Sequence, residues 1–183
     1  MRPIAGRFRG RVLAAPEGTG TRPNADRVRE ALFNILQHGE PPLAGARLAD
    51  VFAGSGALGL EALSRGAAQV TFIENAPAPL AVIAANLRKL DVAAAATLLR
   101  VDATRPPKAE RSCQFLLLDP PYRSGLAAPA LVALAAQGWI DADARIVVEV
   151  AAAEEFSSPL PHFVVSDERK YGAARLVFLA PAE

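Results

Sequence analysis

The sequence predicts an α/β protein with a doubly wound, mostly parallel sheet, an antiparallel closing strand and an N-terminal β-hairpin and helix extension. Three observations support this prediction. From Arg47 onward, short apolar segments alternate with helical segments. A glycine-rich turn joins the first of these strands to its helix. The last two apolar segments are joined through Tyr171 and Gly172 without a helix between them, which is typical of an antiparallel pair.

The N-terminal extension contains a predicted hairpin and a helix. Two strand-like segments, residues 2–5 and 11–14, flank a basic turn that Gly6 and Gly10 would shape into a projection. Thr21 is a suitable helix N-cap, with Pro23 in the first turn. The helix has an apolar stripe formed by Val28, Ala31, Leu32, Ile35 and Leu36. A Gly-Glu-Pro-Pro linker follows, so we divide the chain into an extension, residues 1–40, and a larger domain, residues 41–183.

The larger domain contains the alternating elements. The predicted strands are residues 48–52, 70–74, 97–101, 115–118 and 146–150, followed by the closing pair 163–165 and 176–179. The predicted helices are residues 58–65, 80–90 and 126–137. Pro106 and Pro107 exclude a regular helix between the third and fourth strands, because proline lacks the amide hydrogen that a helix interior needs.

Composition limits the class of protein. The chain has 183 residues, of which 51% are hydrophobic, so it is long enough to bury a sizeable core. It contains no apolar run of membrane-spanning length and no secretory signal pattern at its N-terminus. A single cysteine, Cys113, excludes an internal disulfide and fits a reducing, cytoplasmic compartment. His38 and His162 lack ligand spacing, so no metal site is expected.

Charge is distributed unevenly. Residues 1–29 hold seven arginines against Glu17 and Asp26, a net charge of +5, which leaves −4 on the rest of the chain. Because the planar guanidinium group can donate two parallel hydrogen bonds to phosphate, this cluster predicts a nucleic-acid contact. The candidate contacts are Arg7, Arg9, Arg11, Arg22, Arg27 and Arg29. The alternative is a solvated arginine surface.

The first strand ends in a glycine-rich turn. Gly54, Gly56 and Gly59 have the G-x-G-x-x-G spacing in a strand–turn–helix context, which is compatible with either NAD or S-adenosylmethionine (SAM). Glu74, at the end of the second strand, is placed to accept hydrogen bonds from the hydroxyl groups of a ribose. Asp50 favours SAM, because a carboxylate is unfavourable near pyrophosphate but useful near an ammonium or sulfonium group.

Two further strand ends carry acidic residues. Asp102 follows the third strand and is expected near the adenine edge, or is simply a loop acid. The fourth strand ends in Asp119-Pro120-Pro121-Tyr122, a stiff loop that can present two acceptors and an aromatic ring to a planar NH₂ group. The alternative is a proline-bounded turn with a chance tyrosine. The ordered series of groups at successive strand ends places SAM ahead of NAD.

This series resembles the Rossmann-like class I SAM-dependent methyltransferases and, more narrowly, the RsmD family, which methylates guanine N2 in 16S ribosomal RNA. The resemblance is carried by residues 4–11, 21–23, 26–34, 50–66 and 119–122. The sequence departs from the family at Asn24, where threonine is usual, and at Pro106-Pro107, where a helix is frequent.

The resemblance implies SAM as cofactor, S-adenosylhomocysteine as product, and 16S ribosomal RNA, within the small subunit or an assembly intermediate, as partner of a monomer. The implied cofactor-binding residues are Asp50, Phe52, Gly54, Ser55, Gly56, Gly59, Glu74, Asp102 and Asp119. The implied catalytic residues are Asp119, Pro120, Pro121 and Tyr122.

The implied mechanism is direct methyl transfer. Asp119 and the Pro120 carbonyl would accept the two N–H groups of the target amine, and Tyr122 would stack on the flipped base. Either Asp119 or water would take the released proton. Methylation of adenine N6 in DNA or of a protein glutamine amide remains open, as does a non-catalytic nucleotide- or RNA-binding module. Glu149 and Tyr171 have no role assigned from the sequence.

Overall fold

Seven strands form one sheet in the computed structural model, which describes residues 1–18 and 23–183. The strands are Arg47–Val51 (β1), Gln69–Glu74 (β2), Ala96–Arg100 (β3), Cys113–Leu118 (β4), Ile140–Ala151 (β5), Phe163–Tyr171 (β6) and Ala174–Pro181 (β7). Their spatial order is β3-β2-β1-β4-β5-β7-β6. The first five strands pair in parallel, whereas β7 runs antiparallel to both β5 and β6. The predicted fold class, with its antiparallel closing strand, is confirmed.

The helices lie close to their predicted positions. In the described ranges they are Pro23–Gln37 (α1), Ala57–Ser64 (α2), Pro77–Lys89 (α3) and Ala127–Ala136 (α4), with a 3₁₀ turn at Ala93–Ala95. As predicted, no helix forms across Pro106 and Pro107 in the fully described connection between β3 and β4. The predicted cap Thr21 and the predicted RNA contact Arg22 lie outside the described residues.

Side chains of the central strands alternate between two hydrophobic clusters. Leu48 and Leu117 belong to one cluster, and their chain neighbours Ala49 and Leu118 belong to the other. Because successive side chains of a strand point to opposite faces, the clusters are the two packed faces of the sheet. The strand order reverses beside β1, which opens a crevice at the carboxyl ends of the strands.

The predicted N-terminal hairpin is wrong. Residues 1–14 form no strand; a turn is closed instead by hydrogen bonds from the Gly10 amide to the Pro3 carbonyl at 3.0 Å and from Leu13 to Met1 at 2.8 Å. The segment does not project, because its backbone binds α2. A Cβ on Gly6 would lie 1.9 Å from the carbonyl oxygen of Ser64, so only glycine permits this close approach.

The last strands are longer than predicted. β5 begins at Ile140, paired with Cys113 of β4, and an irregularity separates this pair from the regular register that starts at Phe115. After an irregularity at Ser166, β6 continues through the polar residues 167–170, which pair with β7 although polar residues of this kind are typical of loops. A polar strand at the edge of a sheet resists pairing with other molecules.

The extension and the larger domain share one hydrophobic cluster. Phe8 and Leu13 from the N-terminal segment and Phe33 from α1 pack in the same cluster as Leu48 and Phe72 of the sheet. The proposed boundary at residue 40 therefore divides one packed unit. None of the described helices is long and apolar enough to cross a membrane.

Candidate active site

A cavity of about 730 Å³ lies at the carboxyl ends of the parallel strands. It brings together, from four strand ends, the predicted residues Phe52, Gly54, Ser55, Glu74, Asp102, Asp119, Pro120, Pro121 and Tyr122. Glu149, from β5, completes the sheet side, and α1 forms the opposite wall. A volume of this size accommodates a cofactor as large as SAM together with part of a substrate.

Two of the three glycines in the turn serve packing and do not line the cavity. A Cβ on Gly56 would lie 2.7 Å from Cγ1 of Ile83, and one on Gly59 would lie 2.3 Å from Cε1 of Phe72. Both glycines therefore let α2 pack tightly against its neighbours, and their cofactor contact stays a prediction. Gly54 is different: it borders the cavity, and its nearest Cβ neighbour would be the Phe52 carbonyl at 4.0 Å.

Asp50 lies beneath the glycine turn and is also outside the cavity lining. Its side chain is buried, and Oδ2 accepts the Gly59 amide at 2.9 Å. Oδ1 is buried without a hydrogen-bond partner among the described residues. Burial raises the pKa of Asp50 well above its usual value, assisted by the charges of Asp119 and Glu74 and opposed by the Gly59 hydrogen bond. This carboxyl group therefore anchors α2 to β1, and its unpaired oxygen could receive a hydrogen-bond donor from a bound molecule.

Glu74 joins the end of β2 to the glycine turn. Its Oε2 accepts the Gly54 amide at 2.8 Å, and Oε1 accepts the Ala76 amide at 3.0 Å. A carboxylate has about four acceptor positions, so two remain for the hydroxyl groups of a ribose. The structure thus holds the carboxylate in place from both sides within the cavity lining.

Asp102 lines the cavity and also supports its own turn. Its Oδ1 accepts both the amide and the hydroxyl of Thr104, at 2.8 Å and 2.7 Å. These two hydrogen bonds lower the pKa of the exposed Asp102 carboxyl group, which is therefore ionised at neutral pH. Asp102 is thus an acidic residue that stabilises its own loop, as one interpretation of the sequence predicts, and it also lines the cavity. Its place near an adenine edge stays a prediction.

The Asp119–Tyr122 loop leaves β4 beside β1. The Asp119 amide donates to the Val51 carbonyl at 3.2 Å, which ties the start of the loop to the neighbouring strand. Pro120 is buried, whereas the Tyr122 ring is 47% exposed. Pro120, Pro121 and Tyr122 all belong to the cavity lining.

Glu149 is the functional candidate that sequence reasoning missed. The Tyr122 hydroxyl donates to Glu149 Oε1 at 2.8 Å. Asp119 is exposed at the cavity. Partial loss of solvation there and, after it, the charge of Glu149 raise the pKa of Asp119 to about 7. Burial likewise raises the pKa of Glu149, opposed by the Tyr122 hydrogen bond. The available signal was an acidic residue inside the apolar end of β5.

The family comparison agrees with this geometry. The family model described as Conserved hypothetical protein 95 matches residues 1–180. The chain belongs to the RsmD family of ribosomal RNA methyltransferases.

Named relatives cover most of the chain. The putative rRNA methyltransferase YlbH of Bacillus subtilis is 34% identical over 176 residues, 94% of each chain. Ribosomal RNA small subunit methyltransferase D of Escherichia coli K12 is 40% identical over 81% of this chain and 74% of its own. The solved structure of the putative methyltransferase yhhF from Escherichia coli superposes with a TM-score of 0.86 at 35% identity, covering 99% of this chain and 97% of that one.

The arginines of this RsmD-family chain fall into two groups. Arg7, Arg9, Arg11 and Arg27 are exposed. Arg7 lies over the ring of Phe8 at 4.5 Å, and Arg11 Nη2 donates to the Lys89 carbonyl at 3.4 Å. These four side chains remain candidates for phosphate contacts.

Arg29 differs from the predicted exposed contact because it is buried. Its Nη2 donates to the Arg2 carbonyl at 2.9 Å and lies 3.2 Å from Asp26, and its Nε is 3.8 Å from Glu61. Glu61 is fully buried and also accepts the amides of Ile4 and Ala5. The Arg29 guanidinium group therefore holds the N-terminal segment against α2 at the edge of the cavity, and it does not form part of a projecting arm.

Proposed function

We propose that this protein transfers a methyl group from SAM to the exocyclic N2 amine of a guanine in 16S ribosomal RNA. The observation that carries the proposal is the convergence of the Asp119–Tyr122 loop with Glu74 and Asp102 in one cavity. The relative from Escherichia coli named Ribosomal RNA small subunit methyltransferase D supports the substrate class. We further propose that it acts in the cytoplasm, on the small subunit or an assembly intermediate, and that it is a monomer.

The cavity acids fit the cofactor. Glu74 would accept ribose hydroxyls, Asp102 would lie near the adenine edge, and the turn at Gly54 and Ser55 would border the methionine end. An acidic cavity of this kind favours a cationic cofactor over a dinucleotide, whose pyrophosphate it would repel. When bound, SAM supplies an electrophilic methyl group on a sulfonium.

The β4 loop would prepare the amine. The exocyclic nitrogen of guanine is a poor nucleophile because its lone pair is delocalised into the ring. Asp119 and the Pro120 carbonyl would each accept one N–H, which favours a pyramidal nitrogen and frees the lone pair. Tyr122 would stack on the flipped base and hold the nitrogen in line with the methyl group.

The transfer balances without a covalent enzyme intermediate. A nitrogen–carbon bond forms while the carbon–sulfur bond breaks, its electron pair remains on sulfur, and one proton leaves the nitrogen. The ionised Asp119 carboxylate or water takes this proton. Since Asp119 has a pKa of about 7, its acceptor form increases as the pH rises through neutrality.

Exposed arginines would dock the RNA. Arg7, Arg9, Arg11 and Arg27 are exposed within the positively charged N-terminal part of the chain. Contacts of this kind supply affinity largely through release of counterions from phosphate.

The decisive experiment incubates the protein with methyl-labelled SAM and either small ribosomal subunits, naked 16S ribosomal RNA or duplex DNA. Labelled N2-methylguanine in the ribosomal RNA is the expected product. Asp119→Ala serves as the matched variant and should lower turnover by ~10²–10³, with a far smaller change in SAM affinity. Labelled N6-methyladenine in the duplex, or no transfer to any substrate, would refute the proposal.

A further inference from the structure

Glu149 occupies an unusual position in β5. It lies between Val148 and Val150, both of which are buried, and it is itself half-buried at the cavity wall. Removing a carboxylate from water is unfavourable unless it gains a partner. Its placement in the otherwise apolar end of β5, residues 146–151, therefore indicates a specific interaction.

The first interaction of Glu149 restrains Tyr122. The hydrogen bond of 2.8 Å connects a side chain on the β4 loop with one on the adjacent strand. A hydrogen bond to a carboxyl oxygen on a paired strand anchors the hydroxyl end of the ring, and the position of the ring determines where a base can stack on it.

The second interaction is electrostatic and involves Asp119. Glu149 and Asp119 both line the cavity, on adjacent parallel strands whose register pairs Leu118 with Val148. Each of these two acidic residues therefore directly follows one member of that pair, at the carboxyl end of its strand. Two carboxyl groups at such neighbouring positions disfavour each other's ionisation.

Other ionisable groups lie in the cavity lining or, in the case of Asp50, beneath the glycine turn. They are Asp50 on β1, Glu74 on β2, Asp102 after β3, and Arg29 on α1. Arg29 is ion-paired with Asp26 and Glu61, so its positive charge is already compensated. Among these groups, Glu149 is the one whose charge acts to raise the pKa of Asp119.

We propose that Glu149 is a positioning residue for methyl transfer, which anchors the Tyr122 side chain through its hydroxyl and places a second carboxyl group on the strand next to Asp119. This inference rests on the proposed function. When the nitrogen–carbon bond forms, the proton on that nitrogen passes to Asp119 and then to water. Glu149 keeps its hydrogen bond to Tyr122 and exchanges no proton with the substrate.

Two variants separate the two roles. Glu149→Gln keeps an acceptor oxygen for the Tyr122 hydroxyl and removes the ionisable group, whereas Tyr122→Phe keeps the carboxyl group and removes the hydrogen bond. Thermal melting confirms that both variants fold. Glu110→Gln, an exposed residue away from the cavity, is the matched control for loss of an acid.

The first measurement is the titration of the Asp119 carboxyl carbon by NMR, assigned with Asp119→Asn and recorded without substrate. The midpoint should move to lower pH in Glu149→Gln and remain in place in Glu110→Gln. The acid limb of kcat/KM for ribosomal subunits should move in the same direction. Well below the midpoint, each pH unit of this shift raises the ionised fraction of Asp119 about tenfold.

The second measurement is kcat/KM for Tyr122→Phe at a pH above the acid limb. We expect a loss of about tenfold, as for a hydrogen bond to a charged acceptor, with the acid limb moved much less than in Glu149→Gln. An unmoved Asp119 midpoint in Glu149→Gln, or a Tyr122→Phe value within about twofold of wild type, would overturn the corresponding role. If the wild type methylates guanine but these changes are absent, the role of Glu149 falls alone; if it methylates no guanine, the proposed function falls with it.

Discussion

Glu74 and Gly54 are joined by a hydrogen bond of 2.8 Å from the glycine amide to Oε2, which couples the end of β2 to the cavity-facing turn. The same carboxylate accepts the Ala76 amide through its other oxygen. One side chain thus supports the turn and offers its remaining lone pairs to the cavity. Substitutions at Glu74 should therefore affect both the turn and the ligand that it binds.

We expect Glu74→Ala to weaken SAM binding by about 1–3 kcal/mol, because it leaves the Gly54 amide and the ribose hydroxyls without their acceptor. Isothermal titration calorimetry with SAM measures the loss. Glu30→Ala, an exposed acid on α1, is the control and should bind normally. Equal affinities for wild type and Glu74→Ala would show that the ribose binds elsewhere.

Replacing Gly54 and Gly56 by alanine should destabilise the fold to different extents. Gly54→Ala places its methyl group next to open space, so its folding cost is mainly the positive φ, about 1–2 kcal/mol. Gly56→Ala adds a contact of 2.7 Å with Ile83, and overpacking of this kind typically costs a further ~1–3 kcal/mol. Urea unfolding should therefore show the larger loss at Gly56. A larger loss at Gly54 would contradict the packing role assigned to Gly56.

Asp119 should make folding stability depend on pH. Its pKa of about 7 in the folded protein lies above the unfolded value of ~3.9, so the native state binds the extra proton between these values. The stabilisation is complete below about pH 4 and is lost as the pH rises through about 7. Relative to Asp119→Asn, the unfolding free energy of the wild type should therefore fall across this window. Denaturant titrations at several pH values measure the difference, and a rise with pH would contradict the assigned shift.

The exposed arginines should control salt sensitivity. Replacing Arg7, Arg9 and Arg11 together by Ala should weaken RNA binding and flatten its dependence on salt. On single-stranded RNA, the slope should fall by about 0.7 for each phosphate that the variant no longer neutralises. SAM affinity and melting temperature should change little, because the three side chains are exposed and the backbone amide of Arg7 still binds the Ser64 carbonyl. RNA affinity measured from low to high salt for the wild type and the triple variant provides the test. Identical affinity and salt dependence in both proteins would show that these arginines are only solvated surface residues.

The local pattern of the sequence determined the order of the elements and most of the cavity. Apolar runs of strand length that end in, or are followed by, Glu74, Asp102 and Asp119 indicate parallel strands whose ends meet at one edge, and this arrangement follows from the alternation of strands and helices along the chain. The glycine spacing and the paired prolines act within a few residues of each other, so they too could be interpreted without the fold. The length of β6 could not be predicted, because its polar side chains are tolerated only through pairing with β7.

Only the tertiary structure determines which residues that are distant in the sequence contact one another. The exposed and buried arginines have the same chemistry in the sequence, but the packing of α1 against α2 buries Arg29 beside Glu61, 32 positions further along the chain. Likewise, Gly56 and Gly59 belong to a recognisable ligand-binding pattern, yet the space that a side chain at these positions would need is occupied by Ile83 and Phe72. Glu149 lies within hydrogen-bond distance of Tyr122 because β5 pairs with β4. Burial and hydrogen bonding between such distant residues depend on strand order and helix packing, which no local pattern of side chains specifies.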